Sequence, residues 1–506
     1  MNKKRKRHFY LLLLLMIISV FAEILSLGSV IPFIGVLTNP DKIVEINLVD
    51  NFIDYFDLSE NNLLIIFTIL FCTAVLIAGL IRILFLYLSV KLIYLTGTEL
   101  SSDIYRKCLY QNYETHVSWN SSEIVNAIVV NVNRVIGGVL LPLTNLISSI
   151  VILIGVALFL IMISPAITFL SLLFFVSLYA LIILFTKKTV EKNSSIIANE
   201  SSQMIKSIQE GLGNIRDVII NKNHNFYTEN YKNSDFPMRK ASGINAFIAG
   251  SPRLVIEIFG LIFIAFIALF VSMTDEGLII SLPFLTALAL GTIRLLPMAQ
   301  QSYASIISIR GFDQVLKNVN EFLEQEIQLS VDADKRNVIE FNKDLSLQNI
   351  SFKHAKSDKY ILKNCNLKIK KGSLIGFVGE TGSGKSTLTD LISGLIEPTD
   401  GGIFIDGIKL NDINKSSWQK KISYIPQNIF LADLSIAENI ALGMKKEEID
   451  HNLLVSSAKI AQIDDFINSL HNGYQTVVGE RGAKISGGQK QRIGIARAIY
   501  KRPDLI

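Results

Sequence analysis

Cysteine is scarce. There are three, Cys72, Cys108 and Cys365, in 506 residues. They stand far apart with no C-x-x-C pair, so they form neither a disulfide framework nor a cysteine metal site. Cys108 and Cys365 fit a reducing cytoplasm. A surplus of charge is also missing. The formal net charge of +5 is small for this length and the basic residues are spread out. Nucleic acid is therefore not implied as a partner. No internal repeat or low-complexity tract is visible. What the chain has in quantity is apolar: 50% of residues are hydrophobic and the mean hydropathy is +0.41, both high for a soluble protein. The length alone suggests about three domains.

The apolar residues fall in blocks. Met1–Arg7 is strongly basic and is followed by an apolar run over 9–37. This run is about twice the length of a signal-peptide core and has no small-residue cleavage site, so it reads as a membrane helix. Further runs cover about 63–90, 136–163, 166–186, 246–272 and 278–300. A hydrocarbon core needs roughly 20 residues of helix, which gives six spans. The link from Pro40 to Asn62 is acidic with one Lys and no Arg, whereas 91–134 and 187–240 carry many Lys and Arg. That asymmetry predicts cytoplasmic termini. The two basic stretches read as helices running about 30 residues beyond the bilayer, for example Thr189–Leu212 and Thr228–Ser242. Residues 310–342 are charged and amphipathic and read as a linker. From 343 onward short strands alternate with helices, an α/β pattern. Strands are expected at Leu345–Phe352, Leu367–Lys370, Leu374–Val378, Ile403–Ile405 and Ile422–Ile425.

The second half is organised around Gly379-Glu380-Thr381-Gly382-Ser383-Gly384-Lys385-Ser386-Thr387. This is G-x-x-x-x-G-K-[ST] between a strand-like run and a helical one, the phosphate-loop context. The glycines let backbone N–H groups converge on phosphate oxygens. Lys385 would reach the β- and γ-phosphates of ATP, and Ser386 would ligate Mg²⁺. About 100 residues later, Ile485-Ser486-Gly487-Gly488-Gln489 opens a second helix, another end suited to phosphate. Two such ends serving one nucleotide follow the logic of a dimer. Tyr424-Ile425-Pro426-Gln427-Asn428 supplies a glutamine just after a strand.

Together the loop, Gln427 and I-S-G-G-Q resemble an ABC ATPase. Thr476–Gly482 resembles the extra loop of the exporter branch, and six spans ahead of one such domain look like an exporter half-transporter. The fold class so implied is a multi-domain membrane protein. An all-α six-helix transmembrane domain (1–309) precedes an α/β P-loop ABC ATPase domain (343–506). By that resemblance Ser486, Gly487, Gly488 and Gln489 of one subunit close on nucleotide held by the partner's loop. Gln427 contacts Mg²⁺ and the attacking water. The cytoplasmic loops carry coupling helices near Tyr113–Ser121 and Gly213–Ile220. The adenine-stacking position falls on His354, with Tyr360 as its rival. The resemblance places the general base on a strand after Arg502-Pro503-Asp504-Leu505-Ile506, so the chain is expected to be a fragment whose ATPase domain lacks its C-terminal part.

Ionisable residues inside apolar runs mark functional positions. Here they are Glu23, Arg82, Arg253, Glu257 and Arg294. Arg253 and Glu257, at i,i+4, could pair on one face, and Glu23 could reach Arg82. Alternatively Arg82, Arg253 and Arg294 line a cavity for an anionic head group. Val30–Ile34, Ser251-Pro252-Arg253 and Arg294–Pro297 resemble bacterial lipid-linked oligosaccharide flippases. The reading is a dimeric exporter of the bacterial inner membrane that uses ATP and Mg²⁺ to move an amphipathic, anionic, lipid-linked substrate. No domain resembling a peptidase precedes the first span, which disfavours a leader-cleaving peptide exporter. The alternatives are an exporter of peptides or hydrophobic compounds, and an ATP-binding membrane sensor or channel that does not hydrolyse.

Overall fold

The computed structural model describes residues 3–38, 63–163, 165–272, 295–327, 338–354 and 358–506. The chain forms two compact units: 1–110 with 119–326, and 111–118 with 327–506.

The first unit is helical. Its long elements are α1 (Lys3–Thr38), α2 (Leu63–Leu109), a run from Ser121 to Ile163, α7 (Pro165–Gly213) and α9 (His224–Ser272). The run contains α4 (Ser121–Val125), α5 (Val132–Val135) and α6 (Leu141–Ile163), separated by π-helical turns at Asn126–Asn131 and Ile136–Leu140. The short α8 (Ile215–Ile220) follows α7. Residues 295–311 form α10, and Asp313–Glu324 forms α11. Among the described residues, five helices are long and apolar enough to cross a membrane, by length and composition. The expected sixth span lies mostly outside the described residues, as do the acidic link and Arg294. Within a span, backbone groups must pair internally, which helices provide. Close packing uses glycine: a Cβ on Gly155 of α6 would come within 2.6 Å of Val20 on α1.

The second unit contains α3 (Tyr113–Ser118) and the C-terminal α/β region. Its sheet has the order β2-β1-β3-β4, all antiparallel. The strands are β1 (Asp344–Phe352), β2 (Leu362–Lys370), β3 (Asp400–Ile405) and β4 (Ile408–Lys409). Leu345, Leu347, Ile350 and Phe352 of β1 join Ile403 and Ile405 of β3 in one core. Leu388, Leu391 and Ile392 of α12 (Lys385–Ile392) and Trp418 of α13 (Lys415–Lys420) complete it. A second core gathers α14 (Ile436–Ile440), α15 (His451–Ile460), α16 (Asp464–Ser469) and α17 (Gly487–Tyr500).

Two expected strands are not ladders here. Leu374–Val378 forms no sheet pairs, and Leu374 and Val378 are fully exposed. Ile422–Ile425 is reduced to one parallel bridge between Ile422 and Leu505. An apolar run becomes a strand only where a neighbouring backbone takes its hydrogen bonds. No described strand lies alongside 374–378.

The pairing of β1 shifts register between Gln348 and Ser351, where Asn349 has φ +50°. Gly401 of β3 faces this bulge at φ +90°. A Cβ there would stand 2.4 Å from the carbonyl oxygen of Gln348 and 2.5 Å from that of Asn349. Backbone cannot give way as a side-chain tip can. Gly401→Ala is expected to destabilise the second unit by about 3 kcal/mol or more, from strain plus clash. Denaturant unfolding followed by circular dichroism would show it, and a loss near zero would mean the bulge relaxes.

Asp406-Gly407 turns β3 into β4, with φ values of +48° and +85°, as a tight hairpin requires. The Asp406 carboxylate accepts from the backbone N–H groups of Asn342, Lys343 and Asp344 at 2.6, 2.8 and 2.8 Å. Desolvation works against its charge, but these three donors outweigh it and hold its pKa below the ordinary value. A carboxyl depressed on folding contributes stability above its unfolded pKa of about 3.9. That contribution is lost as pH falls through the lower folded value. Asp406→Asn should therefore flatten part of the stability loss below about pH 4, seen by comparing urea midpoints across that range. An unchanged acid limb would remove Asp406 from the account.

Candidate functional site

The glycine loop and the helix after it form as the spacing predicts, whereas the strand expected before them does not. Gly382 and Gly384 take φ of +87° and +90°, the left-handed region that glycine enters without steric cost. A Cβ on Gly384 would come within 3.0 Å of Leu362 and 3.1 Å of Ile361, so β2 presses against the loop. Gly384 opens α12 with no side-chain cap. The first-turn amides thus remain available, with the positive end of the helix dipole behind them. Lys385 Nζ donates to the carbonyl oxygens of Gly379 and Glu380, each at 2.8 Å. The ammonium is held over the loop's own concavity. Ser386 is exposed at the second position of α12. An exposed glycine cradle, an uncapped helix start, one cation and one hydroxyl fit a nucleotide polyphosphate with its Mg²⁺.

Ser486 caps α17. Its hydroxyl accepts from the Gln489 N–H at 3.4 Å, and Gln489 Oε1 accepts from the Ser486 N–H at 2.8 Å. This is a capping box. Gln489 is thereby engaged within its own helix end. Ser486, Gly487 and Gly488 are exposed, and a Cβ on either glycine would meet nothing within 4 Å.

Gln427 is exposed in an irregular segment. Three residues before it, Tyr424 lies close to Asp390 of α12 and Tyr113 of α3. Burial raises its phenol pKa, and those two neighbours add to the rise. The Tyr113–Ser118 stretch thus clusters with the nucleotide-binding region, whereas Ile215–Ile220 groups with the first unit. His354 is exposed and meets Phe352 edge-on at 5.2 Å. Tyr360 is half-buried. Lys353 and Lys363 lie over its ring at 5.6 and 5.8 Å, and Ile361 beside it touches Gly384. This favours Tyr360 as the ring next to the loop.

A clamp that sequence reasoning missed orders the chain after Gln427. Asn439 is fully buried. Its Nδ2 donates to the carbonyls of Ala432, Leu434 and Ser435, and its Oδ1 accepts from the Ala432 N–H at 3.0 Å. Arg497 of α17 donates to the carbonyls of Asn439 and Phe430 at 2.8 and 3.1 Å. The available signal was Ser435-x-x-Glu438, a capping-box spacing that the structure realises.

Among the membrane residues, Arg82 Nη2 donates to Glu23 Oε2 at 2.5 Å. Glu23 is buried, with a side chain 4% exposed against 40% for Arg82. The expected Arg253–Glu257 pair is not formed. Both side chains are exposed, and no ion pair joins them among the described residues. Their positions on α9 point them outward, where water or lipid competes for each charge. No described contact brings Arg82 and Arg253 together.

Helices suited to a membrane and a phosphate-type loop on an α/β domain place the chain in the class of membrane proteins with a nucleotide-binding type of domain. Comparison with known families makes this specific. Residues 9–307 match the ABC transporter transmembrane region, and residues 362–506 match the ABC transporter model. The chain belongs to the ABC transporter family. It is 41% identical over 162 residues to an uncharacterised ABC transporter ATP-binding protein, YfiB, of Bacillus subtilis (strain 168). That match takes in 32% of this chain and 28% of the relative. It is 44% identical over 170 residues to the α-hemolysin translocation ATP-binding protein HlyB of Proteus vulgaris, 33% of this chain and 23% of that one. A further match, 38% over 217 residues, is to the leukotoxin translocation ATP-binding protein LktB of Mannheimia glucosida, 42% of this chain and 29% of that one. The matched stretches thus span less than a third of these relatives' length. The fold resembles a bacterial Atm1-family ABC exporter with ATP bound. Its TM-score is 0.73 at 20% identity, over 99% of this chain and 85% of that one.

Proposed function

We propose that this chain is one subunit of a dimeric exporter of the bacterial inner membrane. It uses ATP and Mg²⁺ to move an amphipathic substrate, and an anionic lipid-linked glycan is our first choice. The observation that carries the reading is the pair of phosphate-ready ends on one domain. Lys385 and the 379–387 loop form one, and the open Ser486–Gly488 end forms the other with space around both glycines. In a dimer each end would complete the partner's site. Ser386 and Gln427 would hold Mg²⁺, whose charge would offset that developing on the transferred phosphoryl group. Tyr360 or His354 would stack on adenine.

The toxin-translocation names of two relatives favour a second reading, in which the cargo is a peptide or protein. ATP turnover by the full-length protein in liposomes separates the two. Stimulation by a polyprenyl-pyrophosphate-linked sugar supports the first cargo, and stimulation by peptide alone the second. ATP binding with no turnover under either condition would sink the exporter reading and leave an ATP-binding sensor or channel.

A further inference from the structure

The basic ends of α1 and α2 meet in a defined register. Arg5 pairs with Glu99 at 2.8 Å, Glu23 with Arg82 at 2.5 Å, and the Phe33 and Phe71 rings stack 5.2 Å apart. Residues 5 and 33 of α1 thus face 99 and 71 of α2, the same separation on each helix, so the two run antiparallel in step. Tyr10 and Tyr94 are equally far inward from the Arg5–Glu99 pair and stand at one level. Both point out of the bundle, 69% and 55% exposed. Arg7 lies just outside that level and Lys91 just inside it, about 4.5 Å each way at about 1.5 Å per residue. Both are exposed, and neither makes an ion pair among the described residues. Lys91 Nζ instead lies 5.5 Å from the ring centre of Tyr87, itself exposed. Deeper along the same outward stripes come Leu14 and Phe21 on α1, and Leu84 and Leu80 on α2, all exposed. Each face therefore passes from cation and tyrosine to apolar side chains, the order of a phospholipid from head group to acyl chain.

We propose that Arg7 and Lys91, with Tyr10, Tyr87 and Tyr94, form a docking surface for an anionic phospholipid of the cytoplasmic leaflet. This rests on reading α1 and α2 as spans whose basic ends are cytoplasmic. Lipid phosphate would accept charge-assisted bonds from the guanidinium and the ammonium, and the acyl chains would lie along the apolar stripes. The surrounding charge favours an anion. Lys3-Lys4-Arg5-Lys6-Arg7 is an unbroken run of cations, and the acid that meets it, Glu99, is taken by Arg5. Such a cluster beside a span attracts anionic lipid. A zwitterionic head group would bring its own cation against these. A second copy of this chain fits less well, because a twofold contact presents one patch to itself and would set like charges face to face.

The test titrates the full-length protein in detergent micelles with phosphatidylglycerol or phosphatidylcholine and counts bound lipids by native mass spectrometry. The parent should bind its first phosphatidylglycerol at least about tenfold more tightly than phosphatidylcholine. Arg7→Gln and Lys91→Gln should each weaken phosphatidylglycerol about fivefold, the effect of one cation near a lipid surface. Phosphatidylcholine binding should hardly change, and the double variant should lose most of the preference. A control, Lys188→Gln with Lys240→Gln, removes the same charge from helix extensions read as lying beyond the bilayer and should keep it. The surface is overturned if the parent shows no preference, if the double variant keeps it, or if the control loses as much. It is also overturned if the double variant lowers the dimer population at equal lipid, which would assign the face to a second copy. Carbonate extraction of membranes holding the parent tests the spanning reading by itself. Release would sink that reading, whereas retention without a lipid preference would sink only the docking surface.

Discussion

Lys385→Ala should lower ATP turnover by roughly 10²–10³-fold, the scale set by removing one preorganised donor from a developing negative charge. The ammonium is the only cation whose described bonds reach into the loop. It rests on the carbonyls of Gly379 and Glu380 at 2.8 Å. Polyphosphate would exchange those neutral acceptors for anionic ones, a stronger partner. The loop amides and the α12 dipole survive the substitution, so ATP affinity should fall less than turnover. Lys385→Arg should not restore activity, since a planar fork cannot replace a compact point charge in a glycine cradle. The two carbonyl bonds are solvent-exposed, so the unfolding midpoint should stay close to the parent's. Turnover and nucleotide affinity, measured on the same preparation as thermal unfolding, separate these effects. Turnover near the parent level would remove Lys385 from the phosphate site.

The nucleotide loop was legible because its chemistry is local. Nine consecutive residues fix the glycine torsions, the helix start and the cation. The capping box at Ser486 was likewise written in a four-residue spacing. Membrane helices were readable from length and hydropathy, since the bilayer imposes both. What escaped was set by distant partners. Leu374–Val378 has the composition of a strand, yet pairing depends on a neighbour that composition does not reveal. Arg253 and Glu257 have the right separation for a pair, but helix rotation turned both to the surface. Asn439 and Arg497 meet across 58 positions, and no local pattern announces the clamp.

Trp418→Ala should be the most destabilising single change in the second unit, at about 3–5 kcal/mol for emptying a site of this size. Trp418 is fully buried, packs edge-on against Phe341 at 5.6 Å, and donates from Nε1 to the carbonyl of Ile392 at 2.8 Å. That carbonyl belongs to the last turn of α12, where no intrahelical donor remains for it. The indole therefore both fills the core and caps the helix whose first turn carries Lys385. Trp418→Phe keeps most of the ring and loses only the N–H. It should cost about 1–2 kcal/mol, the worth of one buried hydrogen bond with its acceptor left unpaired. Denaturant titration by far-ultraviolet circular dichroism would measure both, free of the fluorescence lost with the indole. The alanine variant should also bind nucleotide more weakly in the folded state, because α12 loses its distal anchor and the loop at its other end loses its fixed position. If Phe and Ala cost the same, the hydrogen bond to Ile392 is the whole contribution. If Phe costs nothing, packing alone holds α12 in place.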